Sequence, residues 1–314
     1  MDTQTSLNDG EAASGYAHAA YAGSLAEWGT PRLLPRCGGW ILERAIPGAS
    51  PRDAMGCYPL FACRDWSQLH ADLAELEGEL VSLALVTDPF GALDLAELRR
   101  AFGDQCVAFK EHYVADLSRP LDEVASKHHR RDSRRALQSV SVEAHADAAP
   151  FVGEWNLLYD KLIERHGIRG LNAFSRESFA RQLAVPGMTL FRAVHDAETV
   201  GMALWYMQGE VAYYHLSASN ERGYQLMATY ALMWRTFEYF AGAGLRWLDI
   251  GAGAGLSADG SGGLNSFKRG WATGTRTAYF CGRILDRDAY ARLVREKNVP
   301  PTDYFPAYRQ GEFG

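Results

Sequence analysis

The 314-residue sequence predicts a layered α/β protein: mixed, mostly antiparallel sheets flanked by helices, in two successive halves. Three observations carry that expectation. Short apolar, β-branched or aromatic runs alternate with stretches of helical period along both halves. Three strand-like runs follow one another closely at Met188–His195, Val200–Met207 and Val211–Ser217. A long amphipathic helix then leads into the apolar run Leu245–Ile250 and a glycine-rich loop.

The composition bounds the function. Hydrophobic residues make up 47% of the chain and charged residues 22%, enough for a substantial core. A net charge of −6 argues against a protein coated for nucleic acid, although local basic patches can still bind phosphate. No run approaches the roughly 18 apolar residues of a membrane span. The start, MDTQTSLNDGEAASG, has neither the basic region nor the apolar core of a secretory signal, and residues 1–30 read as a disordered lead. Cys37, Cys57, Cys63, Cys106 and Cys281 are irregularly spaced and form no C-x-x-C pair; they read as reduced cysteines of a cytoplasmic protein, with no metal site.

The first half runs from 31 to 140. Trp40–Ile46 and Tyr58–Cys63 read as strands joined by the loop Pro47–Gly56. Asp65 caps a helix over Trp66–Leu76 with Trp66, Leu69, Leu73 and Leu76 on one face. Leu80–Thr87 is a buried strand, Leu95–Phe102 a short helix and Cys106–Leu117 a further strand. Leu121–Val140 reads as one helix carrying Lys127, Arg130, Arg131, Arg134 and Arg135 within nine residues. Like charges four apart repel, and only Asp132 interleaves them. Either this is a solvated face or it clamps phosphate or carboxylate, to which Arg is suited.

The second half runs from 141 to 297, followed by an aromatic tail over 298–314. Val140–Ala144 is a candidate strand; Phe151–His166 and Arg176–Leu183 are helices. After the three close strands, Gln225–Phe240 is the strongest helix of the chain, with Leu226, Tyr230, Met233, Phe237 and Phe240 on one stripe. Trp247–Trp271 is the most unusual stretch. It spends Gly251, Gly253, Gly255, Gly260, Gly262 and Gly263 on a loop and closes on Ser266-Phe267-Lys268-Arg269-Gly270-Trp271. A strand Thr277–Ile284 and a helix Asp286–Lys297 complete this half.

Leu248-Asp249-Ile250-Gly251-Ala252-Gly253-Ala254-Gly255 matches the loop of S-adenosylmethionine-dependent methyltransferases. That loop needs a following helix and several more strand–helix units. Here Ser257–Gly263 does not read as a helix and few residues remain, which leaves a methyltransferase as the least favoured reading.

Ala212–Asn220, the helix, Leu248–Gly251 and Phe267-Lys268, taken in that order, resemble the Fem-type branch of the GNAT acyltransferase superfamily. His129-Arg130-Arg131-Asp132-Ser133-Arg134-Arg135-Ala136 is similar to that family's basic segment. The resemblance implies tandem GNAT-like domains, here a degenerate one over 31–140 and a catalytic one over 141–297. It also implies an amide-forming acyltransferase whose co-substrate is aminoacyl-tRNA or acyl-CoA, with no bound cofactor. The segment Asn220–Ala228 keeps Gly223 of the pyrophosphate cradle but follows it with Tyr224, Gln225 and Leu226. That erosion tilts the expectation toward tRNA as donor, with a small-molecule or peptide amine as acceptor.

The resemblance assigns to Lys268 the neutralisation of charge on the acceptor or the tetrahedral intermediate. His215 is either a base or a core histidine, and Asp249 either orients the amine or caps the loop. Phe267, Arg269, Trp271, Tyr214, Ser217, Gly251 and Gly253 are candidates to line the substrate. Arg130, Arg131, Arg134, Arg135 and Arg222 are candidates for tRNA or other phosphate.

Overall fold

A computed structural model of the chain describes residues 13–92, 94–253 and 263–312. Eleven strands form one sheet. In chain order they are β1 (Thr30–Leu34), β2 (Gly39–Ala45), β3 (Arg52–Gly56), β4 (Ser82–Val86), β5 (Gln105–Asp116), β6 (Ser141–His145), β7 (Met188–His195), β8 (Glu198–Gln208), β9 (Val211–Ser219), β10 (Trp247–Gly251) and β11 (Gly274–Ile284). The order across the sheet is β1-β2-β3-β4-β11-β5-β10-β9-β8-β7-β6.

Each half shows the same motif: an antiparallel meander whose last strand has a parallel neighbour, β3 beside β4 and β9 beside β10. The centre is an exchange. β11, late in the chain, lies between β4 and β5, while β5 bridges it to β10. The two-domain division at residue 140 is thus a proposal about units within one continuous sheet, and β11 crosses it.

The helices are α1 (Ala19–Ser24), α2 (Leu69–Glu75), α3 (Leu95–Ala101), α4 (Leu121–Val124), α5 (Lys127–Ala136), α6 (Val152–His166), α7 (Arg176–Leu183), α8 (Glu221–Gln225), α9 (Ala228–Gly242), α10 (Gly263–Arg269) and α11 (Arg287–Glu296). Local chemistry sets several ends. Asp94 accepts from Ala96 and Glu97 N–H to start α3, Ser175 accepts from Ser178 N–H to start α7, and left-handed Gly167 ends α6. One core packs α1, α6 and α7 on β7–β9 through Trp155, Tyr159, Phe179, Leu190 and Leu204; another lies under α5 and α9 around Phe191, Trp205, Phe237 and Trp271. Leu69, Leu73, Leu83 and Leu98 form a third core in the first half.

Several sequence expectations are corrected. The disordered lead fails for residues 13–30, which include α1; Tyr16 and Tyr21 are buried against Tyr206 and His215, anchors that a small, polar composition hides. Residues 1–12 of that lead lie outside the described residues. The strand expected at Tyr58–Cys63 is reduced to a bridge between Phe61 and Thr87, and β3 instead falls inside the expected loop Pro47–Gly56. The single helix expected over Leu121–Val140 breaks at Ala125, which is extended, and its second part ends at Ala136. The long helix expected from Gln225 starts at Ala228, because Met227 adopts left-handed φ (55°) and separates it from α8.

The aromatic tail is fastened rather than free. Arg309 donates to both oxygens of Asp53 at 2.6 and 2.7 Å, and the Tyr308 hydroxyl adds a third bond at 2.9 Å. Both members of this ion pair are buried, so each depends on the other for its solvation.

Candidate functional site

β9 and β10 are paired only over Val211–Tyr213 and Trp247–Asp249. Beyond that, β9 continues with β8 alone, whereas Gly251 pairs with Tyr113 of β5 across a register shift. The two parallel strands therefore part, and the β9 residues beyond the parting, Tyr214–Ser217, are only partly covered. A bulge sits at the same place: Leu204 faces Leu216 and Trp205 faces Tyr214, leaving His215 as the extra residue.

Lys268 of α10 comes to this opening. It is 8% exposed. Its Nζ donates to the Ala252 carbonyl at 2.7 Å and lies 5.9 Å from the centroid of the Tyr214 ring. Gly251 has φ of 76°, and a Cβ there would lie 3.0 Å from the Lys268 Nζ, so glycine is needed both for the turn and for the approach of the ammonium. Burial pulls the Lys268 pKa down to about 8; the Asp249 carboxylate opposes that fall and Lys110 adds to it. A lysine so placed still holds its charge at neutral pH, at some cost.

Asp249, 2% exposed, faces His112 of β5: the Nδ1 of His112 lies 3.0 and 2.9 Å from its two carboxylate oxygens. The Gly251 N–H donates to Asp249 Oδ1 at 2.7 Å. His112 escaped the sequence reading because it lies 137 residues from Asp249 on a strand whose period shows only burial. Tyr213, paired in register with Asp249, donates its hydroxyl to both oxygens of Asp88 at 3.0 and 2.9 Å. Burial pushes Asp88 up to about 6 despite hydrogen bonds from Phe90 N–H and Tyr213. A cleft of ≈ 510 Å³ opens beside Asp88 and Tyr213, with Trp66, Phe90, Gln208 and Arg276 also among its walls; Asp249, His112 and Lys268 do not line it. The Arg276 guanidinium lies 4.3 Å from the Phe90 ring centroid and 4.9 Å from that of Trp247.

Of the two readings of His215, its contacts are those of a core histidine. Its Nε2 donates to Gln182 Oε1 at 2.8 Å and its Nδ1 accepts from the Tyr16 hydroxyl at 3.1 Å, amid Tyr16, Tyr21, Tyr206 and Phe174. Withdrawal from water pushes its pKa down to about 3, too low for a base near neutrality. Trp271 is fully buried against Phe237 and cannot line a substrate. Phe267 turns toward Tyr230 and His129 and anchors α10 instead. Tyr214 packs at a tilt against Trp205 and its hydroxyl donates to Ser217 Oγ, so Tyr214 and Ser217 share the opened stretch of β9. Gly253 backs onto the Asn265 side chain, and Arg269 is exposed. The remaining expected loop glycines, Gly255, Gly260 and Gly262, lie outside the described residues.

α10 itself was not expected, and it is held by α5. His129 donates from Nε2 to the Phe267 carbonyl at 2.9 Å and accepts at Nδ1 from Ser126 Oγ at 2.9 Å; Ser126 N–H donates to the Gly270 carbonyl at 2.8 Å. On the same helix, Arg130 approaches Asp122 at 3.9 Å and Arg131 pairs with Asp132 at 3.0 Å. Arg134 and Arg135 are exposed and make no ion pair among the described residues. Arg222 on α8 reaches His195 at 3.1 Å. Among the described residues no group of three His, Cys, Asp or Glu is placed to hold a metal ion, and no helix is long and apolar enough to cross a membrane.

The model of the GNAT acetyltransferase domain matches residues 125–269. Among solved structures, FemX superposes with a TM-score of 0.64 at 15% identity, over 87% of this chain and 93% of that one. The C-terminal domain of a protein from Agrobacterium fabrum, provisionally named a lysylphosphatidylglycerol synthetase, gives 0.60 at 15% identity over 89% and 91%. L-PGS from Bacillus licheniformis gives 0.56 at 14% identity over 89% and 95%. None of the curated proteins matches. Identities this low establish a common fold. The methyltransferase reading falls with it, since among the described residues β10 is followed by α10 and antiparallel β11 rather than by a series of parallel strand–helix units.

Proposed function

From a chain that carries a GNAT acyltransferase domain on the Fem-like fold, we infer that it transfers an aminoacyl group from aminoacyl-tRNA to the amine of a small-molecule or peptide acceptor. One observation carries the reading: Lys268 is buried where β9 and β10 part, its ammonium beside the Gly251–Ala252 backbone. As the amine adds to the ester carbonyl, negative charge grows on oxygen. A fixed cation in a site of low dielectric stabilises that charge without reorganising.

The segment after β9 supports a donor other than acyl-CoA. A Cβ at Gly223 would meet the Val200 carbonyl oxygen at 2.1 Å, so this glycine serves packing rather than approach to a pyrophosphate. Its N–H is already bonded to Asn220 Oδ1 at 2.8 Å, and α8 ends within five residues. Arg134 and Arg135 offer the phosphate contacts instead.

Radiolabelled aminoacyl-tRNA and labelled acyl-CoA, each offered with an amine pool and with or without ribonuclease, test the donor. Ribonuclease-sensitive transfer from the tRNA pool supports the reading, and transfer from acyl-CoA alone replaces it. Donor binding should also weaken steeply with salt. Arg134→Ala and Arg135→Ala are each expected to reduce the slope of log affinity against log salt by about 1, measured by filter binding from 50 to 200 mM salt. A slope unchanged in both variants removes α5 from the donor site.

A further inference from the structure

We propose that His112 is the proton acceptor of the transfer, with Asp249 as the group that orients it. The proposal rests on the acyl-transfer reading above and adds the residue that reading lacks.

The geometry separates His112 from the other inward-facing histidines. His215 and His129 each have both ring nitrogens engaged by protein groups. In His112 only Nδ1 is engaged: it donates to the Asp249 carboxylate at 2.9 and 3.0 Å. That bond fixes the tautomer with the proton on Nδ1 and leaves Nε2 as an acceptor, with no hydrogen-bond partner among the described residues. The carboxylate is fixed in turn by the Gly251 N–H at 2.7 Å. Gly251 also faces the Lys268 ammonium, so one backbone unit supports both the oriented base and the cation. A base held by a carboxylate, linked through one backbone unit to a charge-stabilising cation, is an arrangement suited to acyl transfer.

Other charges bear on the imidazole from each neighbouring strand. Asp249 lies on β10 and Asp88 follows β4, while Arg276 of β11 is its partner in register and Lys110 precedes it on β5. Lys268, influenced by the same Asp249, completes the set. Two carboxylates, Asp249 and Asp88, and three cations, Arg276, Lys110 and Lys268, thus surround the imidazole.

The step balances as follows. The acceptor amine forms the C–N bond to the ester carbonyl carbon, and the electron pair of C=O moves to the oxygen facing Lys268. His112 Nε2 takes the N–H proton. When the tetrahedral centre collapses, the C–O bond to the ribose breaks and the proton passes from His112 to the leaving alkoxide, giving an amide and a free hydroxyl.

The test compares wild type, His112→Ala and His112→Gln in steady-state transfer from aminoacyl-tRNA across pH 5 to 9. Expected is a loss in kcat of about 10²- to 10⁴-fold in both variants, with donor KM little changed. The acid limb of the kcat–pH profile should vanish, and added imidazole should restore His112→Ala by at least about tenfold. A purely structural pair would not respond to imidazole. His112→Gln can keep a hydrogen bond to Asp249 and serves if the alanine variant fails to fold. A folded variant with kcat within about threefold of wild type and an unchanged pH profile overturns the assignment. If wild type itself transfers from neither aminoacyl-tRNA nor acyl-CoA, the acyl-transfer reading falls, and this inference with it.

Discussion

Lys268→Met is expected to lose transfer activity and to gain stability. The rate should fall by about 10²- to 10³-fold, the usual effect of removing one preorganised oxyanion-stabilising group. The stability gain follows from the position of the lysine. An ordinary lysine titrates near 10.5, and burial holds this one near 8. The unfolded chain therefore binds more protons than the folded chain between those values, and native stability rises as pH climbs from 8 to 10.5. Below pH 8 the whole cost of burying the ammonium is present, on the order of 3 kcal/mol at most. Methionine fills a similar volume without charge and removes that cost, so the variant should melt a few degrees higher at pH 7. A lysine there for solubility alone would leave both rate and melting temperature unmoved. Activity and calorimetry on the same preparation separate the two roles.

Gly270→Ala is expected to reduce kcat by about 10²-fold although residue 270 lies two positions from Lys268 and bears no functional group. A Cβ at Gly270 would lie 2.1 Å from His129 Cε1 and 2.4 Å from its Nε2. The imidazole cannot step aside easily. It is bonded to Ser126 and to the Phe267 carbonyl, and ring centroids of Tyr230, Phe267 and Trp271 lie 5.2, 5.5 and 5.1 Å away. The clash must then move α10 relative to α5, and Lys268 moves with α10. A displacement of order 1 Å at a charge-stabilising group is enough for the predicted loss. Overpacking should also cost about 1 to 3 kcal/mol of stability. Gly153→Ala is the control: it sits in α6 with nothing within 4 Å of its added carbon and should leave kcat unchanged.

Much of this architecture was written in local patterns. The meander of β7, β8 and β9 was legible because strand runs and turn residues alternate at short range. α6 and α7 were legible from their apolar stripes. The Phe267-Lys268 pair drew attention to the segment that holds the buried Lys268 because a cation between aromatics after a glycine loop has little use in an ordinary core. What stayed hidden depends on contacts distant in sequence. β3 lies within Arg52–Gly56, a segment whose Arg and Asp read as loop, yet Asp53 is the buried partner of Arg309 from the far end of the chain. Tyr16 and Tyr21 looked like residues of a loose lead, and only their packing on His215 and Tyr206 makes them core. His215 looked available because its strand was expected to line the site; the bulge at Leu204–Trp205 and the approach of Gln182 are invisible in sequence. His112 and Asp249 become a pair only because β5 and β10 are neighbours, a consequence of the central strand exchange.

That exchange also explains the location of the site. β10 is parallel to β9 and antiparallel to β5, so it brings Asp249 to His112 on one side and parts from β9 on the other. α10 then closes the opening with Lys268, and α5 fixes α10 through His129. The basic face of α5 and the lysine are thus parts of one connected unit.

The measurement that tests the central claim most directly is a single-turnover assay with excess enzyme. Labelled aminoacyl-tRNA and an amine pool are mixed with wild type or with Lys268→Met, and label entering ribonuclease-resistant small amides is followed. Rapid transfer by wild type, at least about 10²-fold slower in folded Lys268→Met, is the predicted result. Equal transfer by the two proteins would contradict the placement of the reaction where β9 and β10 part.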